Sequence, residues 1–114
     1  MPGMVNSTVA GGRTGILLDQ NARLEQLVNS IVAFNTLAGV GLTHGGTAST
    51  DVRHNDVYNP GASIGNYMNM QDYTGLQGNV SADPRFVNRA AGDYRLGDGS
   101  AAVDAADGDA APLR

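Results

Sequence analysis

Asp51, Arg53, His54 and Asp56 lie close together in the sequence and carry the groups that move protons and hold ions. A spacing of two places Asp51 and Arg53 on one face if this stretch is a strand. Asp19 and Glu25 flank a comparable turn earlier in the chain, so a small polar groove is conceivable. The favoured alternative is plainer: a solvated outer face carrying surface ion pairs. His44 and His54 are the two histidines, and no His-x-x-x-His spacing brings them together as a zinc pair. Turn or ladder histidines are the expected reading. "DAADGDA" over 104–110 lacks both the Asp-x-Asp-x-Asp-Gly order and the closing glutamate of a calcium loop. "AGGRTG" and "GDGS" lack the Gly-Lys-Ser/Thr ending of a phosphate loop. No Gly-x-Ser-x-Gly elbow is present. No catalytic residue, metal site or cofactor is therefore assigned. One loop remains, "GNYMNMQDYTGLQGN" over 65–79, with Tyr67, Met68, Met70 and Tyr73. These residues either fold against the body of the protein, the favoured reading, or form a platform for a sugar or a partner.

The elements that must position these groups are short. The chain has 114 residues, enough for one domain with a modest core. It holds 16 Gly, no Trp and only six other aromatics among Tyr and Phe, with many Asn, Asp, Ser and Thr, a mix that favours turns over long helices. The net charge of −4 comes with no basic stripe, which argues against a nucleic-acid groove. The absence of Cys removes disulfides and thiol chemistry. No apolar run approaches the ~20 residues of a membrane-spanning helix. The start "MPGMVNSTVAGG" lacks the basic and apolar regions of a signal peptide, so the compartment stays open.

The chain repeats itself with a period near 24 residues. Residues 4–20, 27–44 and 52–67 align, with Val9, Val32 and Val57 in one column. Met4, Leu27 and Val52 form a second column, and Ser7, Ser30 and Asn55 a third. Ile16, Val40 and Ile64 are placed in a fourth, Leu18, Leu42 and Asn66 in a fifth, and Asn6, Asn29 and His54 in a sixth. Apolar residues two apart, such as Ile16 with Leu18 and Val40 with Leu42, mark strands. "NARLEQLVNSIV" could also read as a helix, but its columns favour strand. A repeat this small cannot bury its own apolar face. Stacked copies at the inter-strand spacing can, with like residues in columns. The expectation is an all-β, short right-handed parallel β-helix of about three coils, near 4–26, 27–50 and 51–80.

"NSIVAFN", "GVGL", "HNDVYN", "GNY" and "GNVSADPRFVNRAAGDYRLGDGSAAVDA" together resemble the C-terminal end of bacterial pectate-lyase-like parallel β-helix proteins. The resemblance covers roughly residues 27–106. It departs at Ala101 and Ala106, where the family motif has Pro and Gly, and in having about three coils instead of many. It implies a closing motif over 81–106; the residues after it, 107–114, read by themselves as a flexible acidic tail. Phe86 and Val87 would cover the last apolar layer, "DYRL" would be the final strand, and Ser100 would cap a short helix. Family enzymes act on polysaccharides through Asp clusters or a basic residue, often with calcium, and many members are exported or lie at the cell surface. Here no paired Asp recurs at the 24-residue step.

The N-terminal coil has no comparable cap before Met4. Two such open ends could meet about a two-fold axis. The expected function is a non-catalytic structural or interaction module that self-associates, with a dimer favoured. Met4, Val5, Val9, Ile16 and Leu18 are the expected interface. Tyr67, Met70, Tyr73, Asp51, Arg53 and His54 are the residues that would make a weak carbohydrate site. The rival expectations are a remnant of a polysaccharide lyase or hydrolase, and the terminal repeats of an exported surface protein.

Overall fold

The computed structural model describes residues 4–5, 7–48, 51–97 and 100, with Met4, Val5 and Ala48 described by their backbone alone. The chain is all-β: the described residues form thirteen short strands and one 3-10 turn, in small separate sheets. The strands are β1 Met4–Val5, β2 Thr8–Ala10, β3 Thr14–Leu18, β4 Arg23–Leu24, β5 Leu27–Val28, β6 Ile31–Ala33, β7 Ala38–Leu42, β8 Thr47–Ala48, β9 Val52–Arg53, β10 Asp56–Tyr58 and β11 Gly65–Met68. After them come β12 Phe86–Asn88, the 3-10 turn Arg89–Ala91 and β13 Asp93–Leu96.

Three sheets have three parallel strands each, in the orders β1-β5-β9, β2-β6-β10 and β3-β7-β11. β4 pairs with β8 in a fourth, also parallel. Register follows the sequence columns: Met4 opposite Leu27 opposite Val52, and Val9 opposite Val32 opposite Val57. Leu18 lies opposite Leu42 as expected. The helical alternative for 21–32 gives way to strand, because Arg23 and Leu24 pair with Thr47 and Ala48. Two columns need correction. Val40 pairs with Tyr67, and Ile64 is 54% exposed outside the strand. Asn66 does not follow Leu42; it precedes Tyr67 and turns toward Asn59. The slip arises because the third repeat carries its extra residues before β11, so a constant step of 24 falls short of the register, which is 27 there.

The inward residues form one apolar core of Ile16, Leu18, Leu24, Leu27, Val32, Val40, Val52, Val57 and Tyr73. Beside it run two columns of polar groups with no counterpart in an ordinary hydrophobic core. Ser7 N donates to Ser30 Oγ (3.2 Å), Ser30 N to Asn55 Oδ1 (2.9 Å) and Asn55 N to Asn79 Oδ1 (3.0 Å). In the second column Gly12 N donates to Asn35 Oδ1 (3.0 Å). Asn35 N and Nδ2 both donate to Asn59 Oδ1 (2.9 Å each), and Asn59 N donates to Asn66 Oδ1 (2.9 Å). A corner cannot keep its backbone in a sheet ladder, so a side-chain amide from the next repeat replaces the missing acceptor. Asn29 and His54 occupy one corner column with φ of 51° and 56°. Gly78 continues it at φ 78°, and a Cβ there would lie 2.6 Å from His54 Nδ1, so the column closes on a residue that must be glycine.

β12 and β13 form an antiparallel hairpin. The expectation that Phe86 and Val87 cover the last layer is corrected. Phe86 packs on the flank, with Ile31, Ala33, Phe34, Tyr58 and Leu96, and Val87 is 54% exposed. Phe34 meets Tyr58 edge-on at 5.7 Å, and the Arg89 guanidinium sits 3.8 Å from the Phe34 ring centroid. This flank cover explains why Ile31, Val32 and Ala33 are all buried although strand side chains alternate in direction. The end itself is closed by residues 77–80. His54 N donates to Gln77 O, Val57 N to Val80 O and Val80 N to Asn55 O. Ser100 is buried, and the short helix expected after it lies outside the described residues, as do Asn6 and the tail.

Candidate functional site

The outer face of the β3-β7-β11 sheet carries a groove. It encloses about 450 Å³ between Arg13, Thr14, Leu17, Asp19, Leu37, Thr43, His44 and Met68. Its shape follows from register. Leu17, Gly41 and Met68 stand in one outward column, and Gly41 contributes no side chain. Met68 folds into that space, since a Cβ on Gly41 would come 2.5 Å from Met68 Cε. Leu17 is left standing 49% exposed on the far side.

The polar end of the groove is built around one oxygen. Asp19 Oδ1 accepts from Gln20 N (2.9 Å) and from Thr43 Oγ1 (2.9 Å), and lies 2.6 Å from His44 Nδ1. The bonds from His44 and then Thr43 hold the Asp19 carboxyl below the usual carboxylate range. Asp19 Oδ2 takes no bond among the described residues. At the other end the Arg13 guanidinium also forms no ion pair or hydrogen bond among the described residues. The groove thus presents a free cation at one end, a half-used carboxylate at the other, and Leu17, Leu37 and Met68 between them.

The residues singled out from sequence fall elsewhere. Arg53 Nε meets Asp51 Oδ1 at 2.7 Å, in a pair with both side chains more than a third exposed. His54 occupies the left-handed corner described above. Asp56 does not join them on the surface. It is fully buried, its Oδ1 accepts from Ala82 N (3.1 Å), and its Oδ2 has no partner. Burial first, and the nearby Asp83 carboxylate after it, push the Asp56 carboxyl up to about 6, against the bond from Ala82. Of the two readings of the 65–79 loop, the favoured one, packing against the body of the protein, is the one Tyr67, Met70 and Tyr73 adopt, and the platform reading gives way. Tyr73 is buried in the core, Tyr67 and Met70 pack against it, and the Tyr67–Tyr73 rings lie 6.0 Å apart edge-on. The Tyr67 hydroxyl is buried without a partner, and desolvation raises its pKa.

The expected interface splits in the same way. Ile16 and Leu18 are buried within the protein, so their side chains offer no contact surface. Val9 is half-buried, and the side chains of Met4 and Val5 lie outside the description. What β1, β2 and β3 do offer is backbone, because among the described residues each is the edge strand of its sheet. Sequence reasoning passed over Arg13 and did not join Asp19 to His44, although their separation of 25 residues is one repeat. No protein-family model, curated protein or solved structure matches the chain.

Proposed function

We propose that this chain is a short parallel β-helix related to the C-terminal end of pectate-lyase-like repeat proteins, acting as a non-catalytic assembly module that joins a second copy through its N-terminal edge. The β-helix reading is supported by the three parallel sheets, whose partners recur every 23 to 27 residues. The buried Ser and Asn columns, which only stacked repeats can supply, support it too.

The observation that carries the assembly reading is the position of β1, β2 and β3 on the same edge of three separate sheets. Leu18 O accepts from Thr43 N, so Ile16 and Leu18 turn their polar groups toward β7. The alternation of the ladder over Ile16–Leu18 then leaves the N–H and C=O of Leu17 facing outward, whereas Arg13 O accepts from Ala38 N and Gly15 drops out of the register. In β2, Ser7 O and Gly11 N bond to β6, which leaves Thr8 and Ala10 facing outward. Unpaired parallel edges of this kind recruit further strands. A carbohydrate site remains a secondary part of the reading, located in the Arg13–His44 groove.

Sedimentation equilibrium tests the assembly. The whole chain is expected to dimerise at micromolar to high micromolar concentration. Leu17→Pro removes one outward N–H without touching the β3-β7 ladder, and is expected to weaken the dimer at least about tenfold. A chain that stays monomeric at high micromolar concentration overturns the reading.

A further inference from the structure

We propose that the cavity beside the flank hairpin binds a small monocarboxylate with a flat apolar body, its carboxylate held by the Arg89 guanidinium. The site is independent of the assembly reading. The cavity measures about 220 Å³ and is lined by Phe34, Asp83, Arg85, Phe86 and Arg89, none of which lies in the Arg13–His44 groove. Its construction starts at Phe34. Ala10 pairs with Ala33, so the corner residue that follows is Gly11 in the first repeat and Phe34 in the second. Both corners are left-handed, with φ of 79° at Gly11 and 58° at Phe34. Glycine adopts that backbone freely, whereas a residue with a β-carbon does so against its own sterics. Strain held at one position points to a task for the side chain placed there.

That task is to carry the Arg89 guanidinium, which sits 3.8 Å from the ring centroid. The backbone of Arg89 is fixed as well. It opens the 3-10 turn, Asn88 Oδ1 caps that turn by accepting from Ala91 N, and Gly92 N donates to Arg89 O. A guanidinium laid on a ring keeps its N–H groups in plane, where they fork onto a carboxylate. Among the described residues Arg89 has no carboxylate partner. Arg85 is left-handed too, at φ 53°, with its N donating to Asp83 Oδ1 (2.8 Å) and its O accepting from Gly97 N. Two guanidinium groups against one carboxylate leave the lining with a net charge of +1, in a chain whose net charge is −4. That matches a monoanion better than a dianion. The Phe86 ring lines the same cavity and supplies the apolar wall for the body of the ligand.

Magnetic resonance titration of the whole chain with benzoate tests the site, with acetate and inorganic phosphate for comparison. Benzoate is expected to saturate in the millimolar range and to shift the signals of Phe34, Phe86 and Arg89, with acetate and phosphate each at least about threefold weaker. Arg89→Lys keeps the charge but loses the fork, and is expected to weaken benzoate about tenfold. Asp83→Asn keeps an acceptor for Arg85 N while removing the opposing charge, and is expected to tighten benzoate about threefold. A purely structural role for these side chains would not move the affinity in opposite directions, and circular dichroism checks that both variants are folded. The proposal is overturned if benzoate fails to saturate by about 50 mM, if acetate or phosphate binds as tightly, or if Arg89→Lys leaves the affinity unchanged.

Discussion

The two ends of the strand stack answer the same problem in opposite ways. At the C-terminal end, the backbone amides of His54, Asn55 and Val57 all meet acceptors from residues 77–80. Asn79 fills the place of the next ladder residue, Val80 bridges Asp56, and Tyr67 and Tyr73 roof the core. At the N-terminal end the second column stops at Gly12, which donates to Asn35 but has no side chain to accept from anything before it. The outward groups of β2 and β3 face away from their sheets. One end is sealed by side-chain amides and backbone, whereas the other presents strands. Closure of a stack is thus a matter of hydrogen bonds as much as apolar cover.

The largest expected effect lies between the ends, where both depend on the same column. Val32 is fully buried between Val9 and Val57. Val32→Asp should cost about 3 kcal/mol or more, read by urea unfolding. Unchanged stability would break the register on which the comparison rests. Next in size is the polar column. Asn35→Ala strips the acceptor from Gly12 N and should cost about 2 kcal/mol, whereas Gly12→Ala, with room for its Cβ, should be near neutral. Equal costs at the two positions would erase the distinction between the interior of the column and its end.

Asp56 gives the sealed end a pH dependence. Its folded pKa is about 6 against an ordinary 3.8, so the folded state holds the proton more tightly than the unfolded chain. Stability should therefore be greatest below pH 4 for this group and fall as pH rises from about 4 to 6, by about 3 kcal/mol at most. Asp93 acts in the opposite sense and lower down. Arg95 holds it at about 2, so its exposed contribution is lost as pH falls below 4. Asp56→Asn should flatten the 4-to-6 slope and raise stability at pH 7. A stability that climbs through that window in the original chain would contradict the burial of Asp56 against Ala82.

Much of this arrangement was legible in the sequence. The 24-residue step placed Val9, Val32 and Val57 together, and Met4, Leu27 and Val52, because inward side chains must stack on like neighbours. The step failed at Ile64 and Asn66, where an insertion moves the strand and periodicity carries no information. The Asn35–Asn59 and Asn55–Asn79 bonds also stand 24 apart, a signal present in the sequence but hidden because asparagine reads first as a turn residue. The Asp19–His44 contact joins consecutive repeats across the outer face, so proximity in sequence pointed instead to Asp51, Arg53 and His54. Asp56 looked like a surface acid because the flank cover that buries it comes from residues well downstream.

Hydrogen exchange of the whole chain, followed residue by residue at low and high protein concentration, tests the contrast between the ends most directly. The amides of His54, Asn55 and Val57 are paired within the monomer and should be protected at both concentrations. That of Leu17 should exchange freely in dilute solution and gain protection of about tenfold or more as the dimer fills. Protection at Leu17 that does not change with concentration, whether high or low throughout, would contradict an N-terminal edge that a second copy completes.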